Sequence, residues 1–414
     1  MYSYLRTIRH FNHDVRMYLI TSALIGFSYF GVLTVLLNLY LLRLGYGTKF
    51  IGLANGSTAL AFALFSVPAG ALGSRFGYRR VVIAGVCCLA FATTTLPLNE
   101  FLPHSWQPVG IILVRLISGL GFALYQVNSN PYLIAATSQE ERSHVFSLQV
   151  AMPPVIGFVG NLAGGFFPAI FAAGLGQTLD QPAPYRYPIL ITGLLLTPAI
   201  LALFLTNELG GQSNSASKLV RGAAPWVLIA FLGITSLLRI AGEGASRTFF
   251  TVYLDSQLHV STAQIGMLTA LCQVVAGVAA MFAPLLMQRF GKVNTIFSAT
   301  LGMAVGLLLL AIFPYWWVAT LGFMGVIGMI SIANAVNSIY QMEAVTAGWR
   351  GVTAGVSSAA SGLGYSSMSL GGGYLIPAIG YSGLFFSGAG LVIASALIYW
   401  SYFRVPRGEY RKER

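Results

Sequence analysis

Residues 70–80 read GALGSRFGYRR and end a long apolar stretch of the chain. A shorter copy, QRFGK, ends another apolar stretch at residues 288–292. A shift of 214 residues superimposes the two segments without a gap and also places Thr48 on Thr262. Long-range self-similarity of this kind arises when one structural unit occurs twice in a chain. The repeat therefore predicts two related halves.

The composition is that of a membrane protein. Of 414 residues, 56% are hydrophobic and 8% are charged, and the mean hydropathy is +0.74. An ordinary soluble domain carries roughly 25% charged residues, so a soluble globule is excluded. The net charge of +12 does not indicate a nucleic-acid partner, because the lysines and arginines lie mostly in short gaps between apolar stretches. We expect a polytopic, all-α membrane protein.

Twelve apolar stretches are long enough to cross a bilayer, which takes about 20 helical residues. The repeat divides them into two pseudo-symmetric six-helix bundles, an N-terminal one in residues 1–206 and a C-terminal one in residues 225–414. Residues 207–224 are polar and rich in glycine and serine, and they are the expected cytoplasmic linker. We number the stretches spans 1 to 12, and they cover residues 17–42, 50–73, 80–98, 108–132, 144–172, 187–206, 225–254, 263–287, 293–313, 315–341, 352–378 and 381–403.

The distribution of positive charge predicts the orientation, because lysines and arginines near span ends are retained in the cytoplasm. With the N-terminus inside, the large majority of the 23 lysines and arginines lie on the cytoplasmic side. Only Arg43, Lys49 and Arg186 face outward. We therefore predict a multi-pass protein of the cell membrane with both termini in the cytoplasm.

The span order and the two RFG loops resemble the Major Facilitator Superfamily of secondary transporters. The family's loop motif contains Gly, an acid, Arg, Gly and two basic residues, and residues 70–80 are similar to it except that Ser74 replaces the acid. The resemblance implies two bundles that rock about a central site, with loops that close the cytoplasmic side through a weakened lock. Topology determination alone is the alternative role for these loops. The loop residues concerned are Gly70, Ser74, Arg75, Gly77, Arg79, Arg80, Gln288, Arg289 and Gly291.

Charged residues deep in a span need a reason, because each costs at least about 2.5–3.5 kcal/mol in hydrocarbon. In span 7, Arg239, Glu243 and Arg247 follow one another at intervals of four residues and share one helix face. A rise of about 1.5 Å per residue places Arg239 near the bilayer midplane. Two interpretations stay open. The cluster either fixes helix packing or lines a central cavity in which such proteins bind substrate.

Four residues outside span 7 join this candidate site. Arg115 stands deep in span 4, in the stretch RLISGLG, which resembles a family motif associated with proton coupling. Tyr29 in span 1 is the repeat mate of Glu243, so it is either a contact for Glu243 or the cargo, or a packing residue. Asn128 and Asn337, which a second shift of 209 residues superimposes, are the preferred cavity-lining pair.

The charges also predict the chemistry of the cargo. Three arginines against one glutamate leave a surplus of positive charge, which favours a small organic anion or another carboxylate-bearing solute. The histidines lie outside the spans or at their ends, and no aspartate lies deep in a span, so Glu243 is the candidate group for proton coupling. The alternative is a proton-driven multidrug efflux antiporter, because residues 160–165 (GNLAGG) are similar to the core of the family's antiporter motif.

Other classes of function lack the residues they need. The histidines are scattered singly, and the three cysteines lie inside apolar stretches without metal-ligand spacing. We therefore expect no enzymatic activity, no metal site and no cofactor. The expected partners are a small-molecule substrate, protons as the coupling ion and membrane lipid, and the protein is expected to be a monomer.

Overall fold

A computed structural model describes residues 11–138, 141–207 and 225–405. In these ranges all regular structure is helical and no strand is present. Eleven of the described helices are long and apolar enough to cross a membrane. The last of them, Arg350–Phe403, is interrupted at Gly380, whose φ of 74° is not helical, so it comprises spans 11 and 12. The prediction of an all-α membrane protein with twelve spans is confirmed.

Most helices extend several residues beyond the apolar stretches that predicted them. Short 3-10 turns at Pro97–Phe101 and Ala347–Trp349 stand after span 3 and before span 11. The bounds are His13–Arg43 for span 1, Thr48–Phe76 for span 2, Tyr78–Thr95 for span 3, Gln107–Ala136 for span 4, Arg142–Leu175 for span 5, Ala183–Leu194 with Leu196–Phe204 for span 6, Trp226–Ser256 for span 7, Thr262–Phe290 for span 8, Lys292–Ile312 for span 9, Trp316–Ala344 for span 10 and Arg350–Phe403 for spans 11 and 12.

By packing, the described residues form two compact units. The first contains the residues up to 37 and from 65 to 207, and the second contains residues 38–64 and the residues from 225 onward. The helix Thr48–Phe76 therefore begins in the second unit and ends in the first. Pro68 stands inside this helix, just after the changeover. The division into residues 1–206 and 225–414 follows the sequence repeat and stays a prediction.

Each unit has an apolar core of its own. In the first unit, Tyr18, Val86 and Leu133 are buried among spans 1, 3 and 4. In the second unit, Leu232 and Tyr340 are buried among spans 7 and 10. Because lipid tails are as apolar as these side chains, close packing is the main force that holds membrane helices together.

Span 1 changes from an α-helix to a π-helix over Gly26–Val32. In a π-helix each backbone hydrogen bond joins residues five apart. Gly26 and Gly31 are also five residues apart, and both lie against the backbone of span 5. A Cβ atom on Gly31 would lie 2.5 Å from the Cα of Gly160, so only glycine allows this approach. The GNLAGG segment of span 5 thus begins where the backbones of spans 1 and 5 touch.

A single glycine joins the helices of each RFG repeat. Gly77, with φ of 94°, connects spans 2 and 3, and Gly291, with φ of 78°, connects spans 8 and 9. Residues with a Cβ atom rarely adopt positive φ angles. The backbone of this one-residue turn explains why both copies of the motif carry a glycine after the phenylalanine.

Part of the predicted organisation lies outside the described residues. The basic leader at residues 1–10, the linker from residue 208 to 224 and the basic tail at residues 406–414 belong to this part. Asn207, the first residue of the predicted linker, is described. Its backbone N–H and its side chain both donate to the buried Asp14 carboxylate at the start of span 1.

Candidate substrate site and loop contacts

The three charged residues of span 7 lie in the second unit and do not all pair with one another. Arg247 Nε lies 2.5 Å from Glu243 Oε1, one helical turn apart. The Glu243 side chain is 12% exposed and that of Arg247 is 37% exposed. The pair satisfies the i, i+4 geometry predicted from the sequence. It also uses the one carboxylate of the cluster.

Arg239 has a different environment. It is 5% exposed, and its Nη1 donates to Oδ1 of Asn334 in span 10 over 2.7 Å. Within the described residues, Asn334 is its hydrogen-bond partner and no carboxylate forms an ion pair with it. A guanidinium has five N–H donors. A nearly buried positive charge is therefore oriented by a neutral amide and keeps donors for a further acceptor.

Asn334 belongs to a polar face of span 10. Asn334, Asn337, Ser338 and Gln341 follow at intervals of three, four and seven residues, which places them on one side of the helix. Asn334 and Ser338 are exposed, and Asn337 is half-buried. Polar groups in a span turn toward protein or water and away from lipid. This face of span 10, next to Arg239, is therefore suited to line an aqueous path.

Two predicted site residues lie in the first unit. Arg115 is 6% exposed in span 4. Tyr29 lies in the π-helical segment of span 1, and its ring stacks on Phe122 of span 4 at 5.4 Å and meets Phe30 edge-on at 5.6 Å. Tyr29 is thus part of an aromatic cluster between spans 1 and 4. The pairing of Arg115 and Tyr29 with the charged residues of span 7 stays a prediction.

The two repeat-related asparagines differ in their surroundings. Asn128 is completely buried, and its Nδ2 donates to the backbone oxygens of Ala69 and Leu124 at 3.0 and 2.9 Å. Its Oδ1 faces Gly73, where a Cβ atom would overlap with it. This geometry favours helix packing between spans 2 and 4. Asn337 is half-buried, and no side-chain partner for it is found in the described part of the chain.

The first RFG loop is bound to its own unit. Arg79 donates from Nε to the Thr206 hydroxyl at 2.9 Å and from Nη2 to the Phe204 carbonyl oxygen at 2.8 Å. These bonds satisfy the carbonyl end of span 6, where a cation is favourable. The Ser74 hydroxyl donates to the Ala71 carbonyl oxygen of its own helix at 2.9 Å. In the described part of the chain no helix-end N–H group donates to Ser74 Oγ, and its predicted role in a weakened lock stays a prediction.

The two loops share a cation–aromatic contact. The Arg75 guanidinium lies 5.3 Å from the centre of the Phe76 ring, and the Arg289 guanidinium lies 5.4 Å from that of Phe290. Such contacts are attractive. Gln288, which the shift of 214 residues superimposes on Ser74, is exposed. Gly70 and Arg80 lie on either side of the first loop, in spans 2 and 3. The gating role of these residues stays a prediction.

Several contacts were not predicted from the sequence. Arg142 caps the Ile134 carbonyl oxygen at 3.2 Å, and Arg350 caps that of Met342 at 2.8 Å, each eight residues back along the chain. The two contacts thus have the same spacing at the ends of spans 4 and 10, which the shift of 209 residues relates to within one position. In the second repeat, Lys292 also forms an ion pair with Glu343.

A bidentate ion pair joins the far ends of spans 1 and 7 within the second unit. Arg43 donates to both carboxylate oxygens of Asp255 at 2.8 and 2.7 Å, and the side chains are 18% and 11% exposed. Next to it, Asn38 donates to the Thr248 carbonyl oxygen at 2.8 Å and accepts from Asn55 at 2.8 Å. The sequence places Arg43 and Asp255 near the ends of their spans, but only the tertiary structure shows that they pair with each other.

The described residues contain no group of three or more His, Cys, Asp or Glu side chains that could hold a metal ion. The three cysteines are free thiols within spans 3 and 8. The arrangement in span 7 and span 10 is thus one of charged and amide side chains, which bind polar solutes through hydrogen bonds.

Known proteins share the sequence pattern and the fold. Residues 18–239 and 232–414 match the Major Facilitator Superfamily. The multidrug resistance protein MdtH of Aeromonas hydrophila is 25% identical over 145 residues, which span 35% of this chain and 35% of that protein. The solved D-xylose–proton symporter has a TM-score of 0.76 at 15% identity and covers 99% of both chains. The nucleoside transporter NupG has a TM-score of 0.74 at 14% identity, over 95% of this chain and 100% of that one.

The family match extends over both halves of the repeat, and the solved structures share the fold over nearly the entire length. The spans, the RFG loops and the charged residues of span 7 are the features that the sequence predicted for such a protein. The chain belongs to the Major Facilitator Superfamily and is a multi-pass membrane transporter, not an enzyme.

Proposed function

We propose that this transporter moves a small organic anion across the membrane by alternating access. The observation that carries the proposal is the environment of Arg239, a residue that is 5% exposed and whose guanidinium is held by a neutral amide. The carboxylate one turn away is paired with Arg247. An arginine in the middle of a span costs about 2.5–3.5 kcal/mol, which a packing role does not require. A carboxylate on the cargo supplies the missing counter-charge and can bind the guanidinium through two hydrogen bonds.

Replacing Arg239 with Gln tests the proposal, since glutamine keeps a polar side chain and removes the charge. Benzoate, succinate or gluconate is expected to raise the melting temperature of the purified wild-type protein more than benzamide, succinamide or gluconamide does. In the Gln variant this preference is expected to disappear, with at least about tenfold weaker carboxylate binding. Arg289→Gln, an exposed loop substitution, is the control and is expected to keep the preference. Equal effects of carboxylates and amides on the wild type contradict the proposal, as does an unchanged preference in Arg239→Gln.

Glu243 is the proposed coupling group. Its carboxylate pairs with Arg247, is 12% exposed and lies one turn from Arg239. Protonation would remove the partner of Arg247 and change the net charge of the cluster by one. Ionisable groups within spans commonly serve as proton relays in transporters. A proton gradient acting on this pair would therefore alter the charge that the cargo meets.

The orientation is part of the same proposal. Arg75, Arg79 and Arg289 flank the turns after spans 2 and 8, and arginines at such span ends are retained in the cytoplasm. The proposed orientation therefore has both termini inside and the Arg43–Asp255 pair outside. The cell membrane as the location, a monomeric state and contact of the basic loops with lipid complete the proposal.

Multidrug efflux by proton antiport is the second candidate function. The partial similarity to MdtH favours it, and so does the GNLAGG segment, which lies at the closest approach of spans 1 and 5. Benzylamine, the cation that corresponds to benzoate, separates the two candidates in the same melting experiment. Stabilisation by benzylamine without any effect of the three carboxylates supports efflux of cationic compounds and contradicts the anion proposal.

A further inference from the structure

Asn334 is the side chain that fixes the position of the Arg239 guanidinium, and its chemistry is unusual for that task. Its Oδ1 accepts from Arg239 Nη1 at 2.7 Å between spans 10 and 7. An aspartate at this position would have nearly the same shape, and its charged hydrogen bond to arginine would be about twice as strong. It would also neutralise the guanidinium. The amide orients the arginine and leaves its charge intact.

We infer that Asn334 is a specificity-determining positioning residue, which holds Arg239 in place while it keeps the site electropositive for a carboxylate-bearing cargo. This inference rests on the proposed function. The guanidinium is planar and rigid, so one short bond at Nη1 restricts the direction in which the remaining N–H donors point. Asn334 is itself exposed on the polar face of span 10, so the bond lies at the border between buried and accessible structure.

The surroundings agree with a charge-preserving role. The one carboxylate of the span 7 cluster, Glu243, makes its ion-pair contact with Arg247, and it acts on Arg239 only electrostatically from one helical turn away. The remaining polar residues of span 10 near Asn334 are the neutral Asn337 and Ser338. Glu343, the nearest carboxylate in the sequence of that helix, pairs with Lys292. In the described residues, each acid of spans 7 and 10 thus has another cationic partner.

Two substitutions separate orientation from charge. The aspartate in Asn334→Asp is expected to form an ion pair with Arg239, so this variant should melt at the same temperature as the wild type or a higher one. It should bind benzoate, succinate and gluconate at least about tenfold more weakly, because the ion pair neutralises the guanidinium. Asn334→Leu removes the hydrogen bond and keeps the arginine charge. Its carboxylate binding is expected to weaken by roughly threefold, with the preference for carboxylates over amides retained. Ser401→Ala, which removes an exposed serine hydroxyl from span 12, is the control and should bind as the wild type does.

For each variant, the dissociation constants of benzoate, succinate and gluconate are compared with those of the corresponding amides, and the melting temperature is measured as well. A merely structural role of Asn334 predicts lower melting temperatures and equal losses for carboxylates and amides in both variants, which would overturn the inference. Unchanged carboxylate binding in Asn334→Asp, combined with its loss in Arg239→Gln, overturns the inference and leaves the proposed function standing. Unchanged carboxylate preference in Arg239→Gln removes the proposed function, and the inference falls with it.

Discussion

At the scale of single residues, the four charges expected deep in the spans have distinct surroundings. Glu243 and Arg247 form a pair, Arg239 is oriented by an amide, and Arg115 is buried in the first unit. Elementary electrostatics separates their roles. The charges of Glu243 and Arg247 nearly cancel, so Arg239 is the residue that we expect to attract an anionic cargo. Protonation would act on the Glu243–Arg247 pair, so we expect proton coupling to depend on that pair.

Glu243→Gln is expected to abolish proton coupling, because the amide cannot exchange a proton in the physiological range. Transport driven by an imposed pH gradient in proteoliposomes should be lost, while exchange of radiolabelled benzoate across the membrane without a gradient should continue. Glu100→Gln is the control. It removes a different ion pair between a glutamate and an arginine, that of Glu100 with Arg186 at 3.2 Å, and should leave gradient-driven transport intact. Undiminished gradient-driven uptake by the Glu243 variant contradicts the coupling role.

The sequence could predict which residues are exceptional but not which residues they contact. Arg239 and Glu243 stand out because charge is costly in hydrocarbon, and this holds for any fold. Asn334 is one of several amides in the spans, so its bond to Arg239 requires the positions of two helices far apart in the chain. Asn128 illustrates the same limit. Its position in the repeat suggested a cavity, whereas its two bonds to backbone oxygens favour packing.

At the scale of elements, the segment resembling an antiporter motif has a structural task. Gly160 of span 5 lies against Phe27 and Gly31 in the π-helical segment of span 1. Gly164, one turn later, lies against Val32. π-Helical turns are frequent at functional sites, and this one also carries Tyr29. The packing of the motif therefore sets the local geometry of span 1 next to the aromatic cluster.

Gly160→Ala is expected to destabilise the protein by about 1–3 kcal/mol, because the added Cβ overlaps with the Phe27 carbonyl oxygen. The melting temperature in detergent measures the effect. Gly174→Ala in the same helix has no atom within 4 Å of the added carbon and should be neutral or slightly stabilising. If both variants melt like the wild type, the contact between spans 1 and 5 is not as close as described.

Hydropathy predicts elements better than it predicts their irregularities. The break between spans 11 and 12 falls at Gly380, between the predicted stretches 352–378 and 381–403, because the two apolar runs are separated by a glycine. The π-helix at Gly26–Val32 has no such signal, since every residue in it is compatible with an ordinary apolar helix. Its formation depends on contact with span 5, which hydropathy does not report.

At the scale of the molecule, residues 38–64 pack with the C-terminal spans although they belong to the first sequence repeat. The Arg43–Asp255 pair, the Asn38–Thr248 bond and the Ser366–Gly56 bond, at 2.9 Å, contribute to this packing. The proposed alternating access requires that contacts of this type break when the proposed site opens to that side. The ion pair is the strongest of them, because it is bidentate and partly buried.

Arg43→Ala is expected to favour the state in which these contacts are open. A cysteine introduced as Thr251→Cys, in a background with Cys87, Cys88 and Cys272 replaced by alanine, reports the change through its reaction rate with an external maleimide. Thr251 is 3% exposed, so the reference rate is low. Loss of the pair should raise this rate by roughly fivefold, equivalent to about 1 kcal/mol.

The combined Arg43→Asp and Asp255→Arg exchange restores the opposite charges and should return the rate toward the reference value. Arg186→Ala, which removes the matched pair with Glu100 in the first unit, should not change the labelling of residue 251. An equal rate in the Arg43→Ala variant and the reference means that the ion pair does not control this side of the protein.

The passage of helix Thr48–Phe76 from one packing unit to the other has a mechanical consequence. Proline has no N–H group, so Pro68 leaves the carbonyl oxygen of Leu64 without its usual partner four residues on. Leu64 is also the last residue of this helix that packs with the second unit. The hydrogen-bond ladder of this helix is thus interrupted where its packing changes from the second unit to the first. Helices bend most easily at such a position, because no backbone hydrogen bond has to break there.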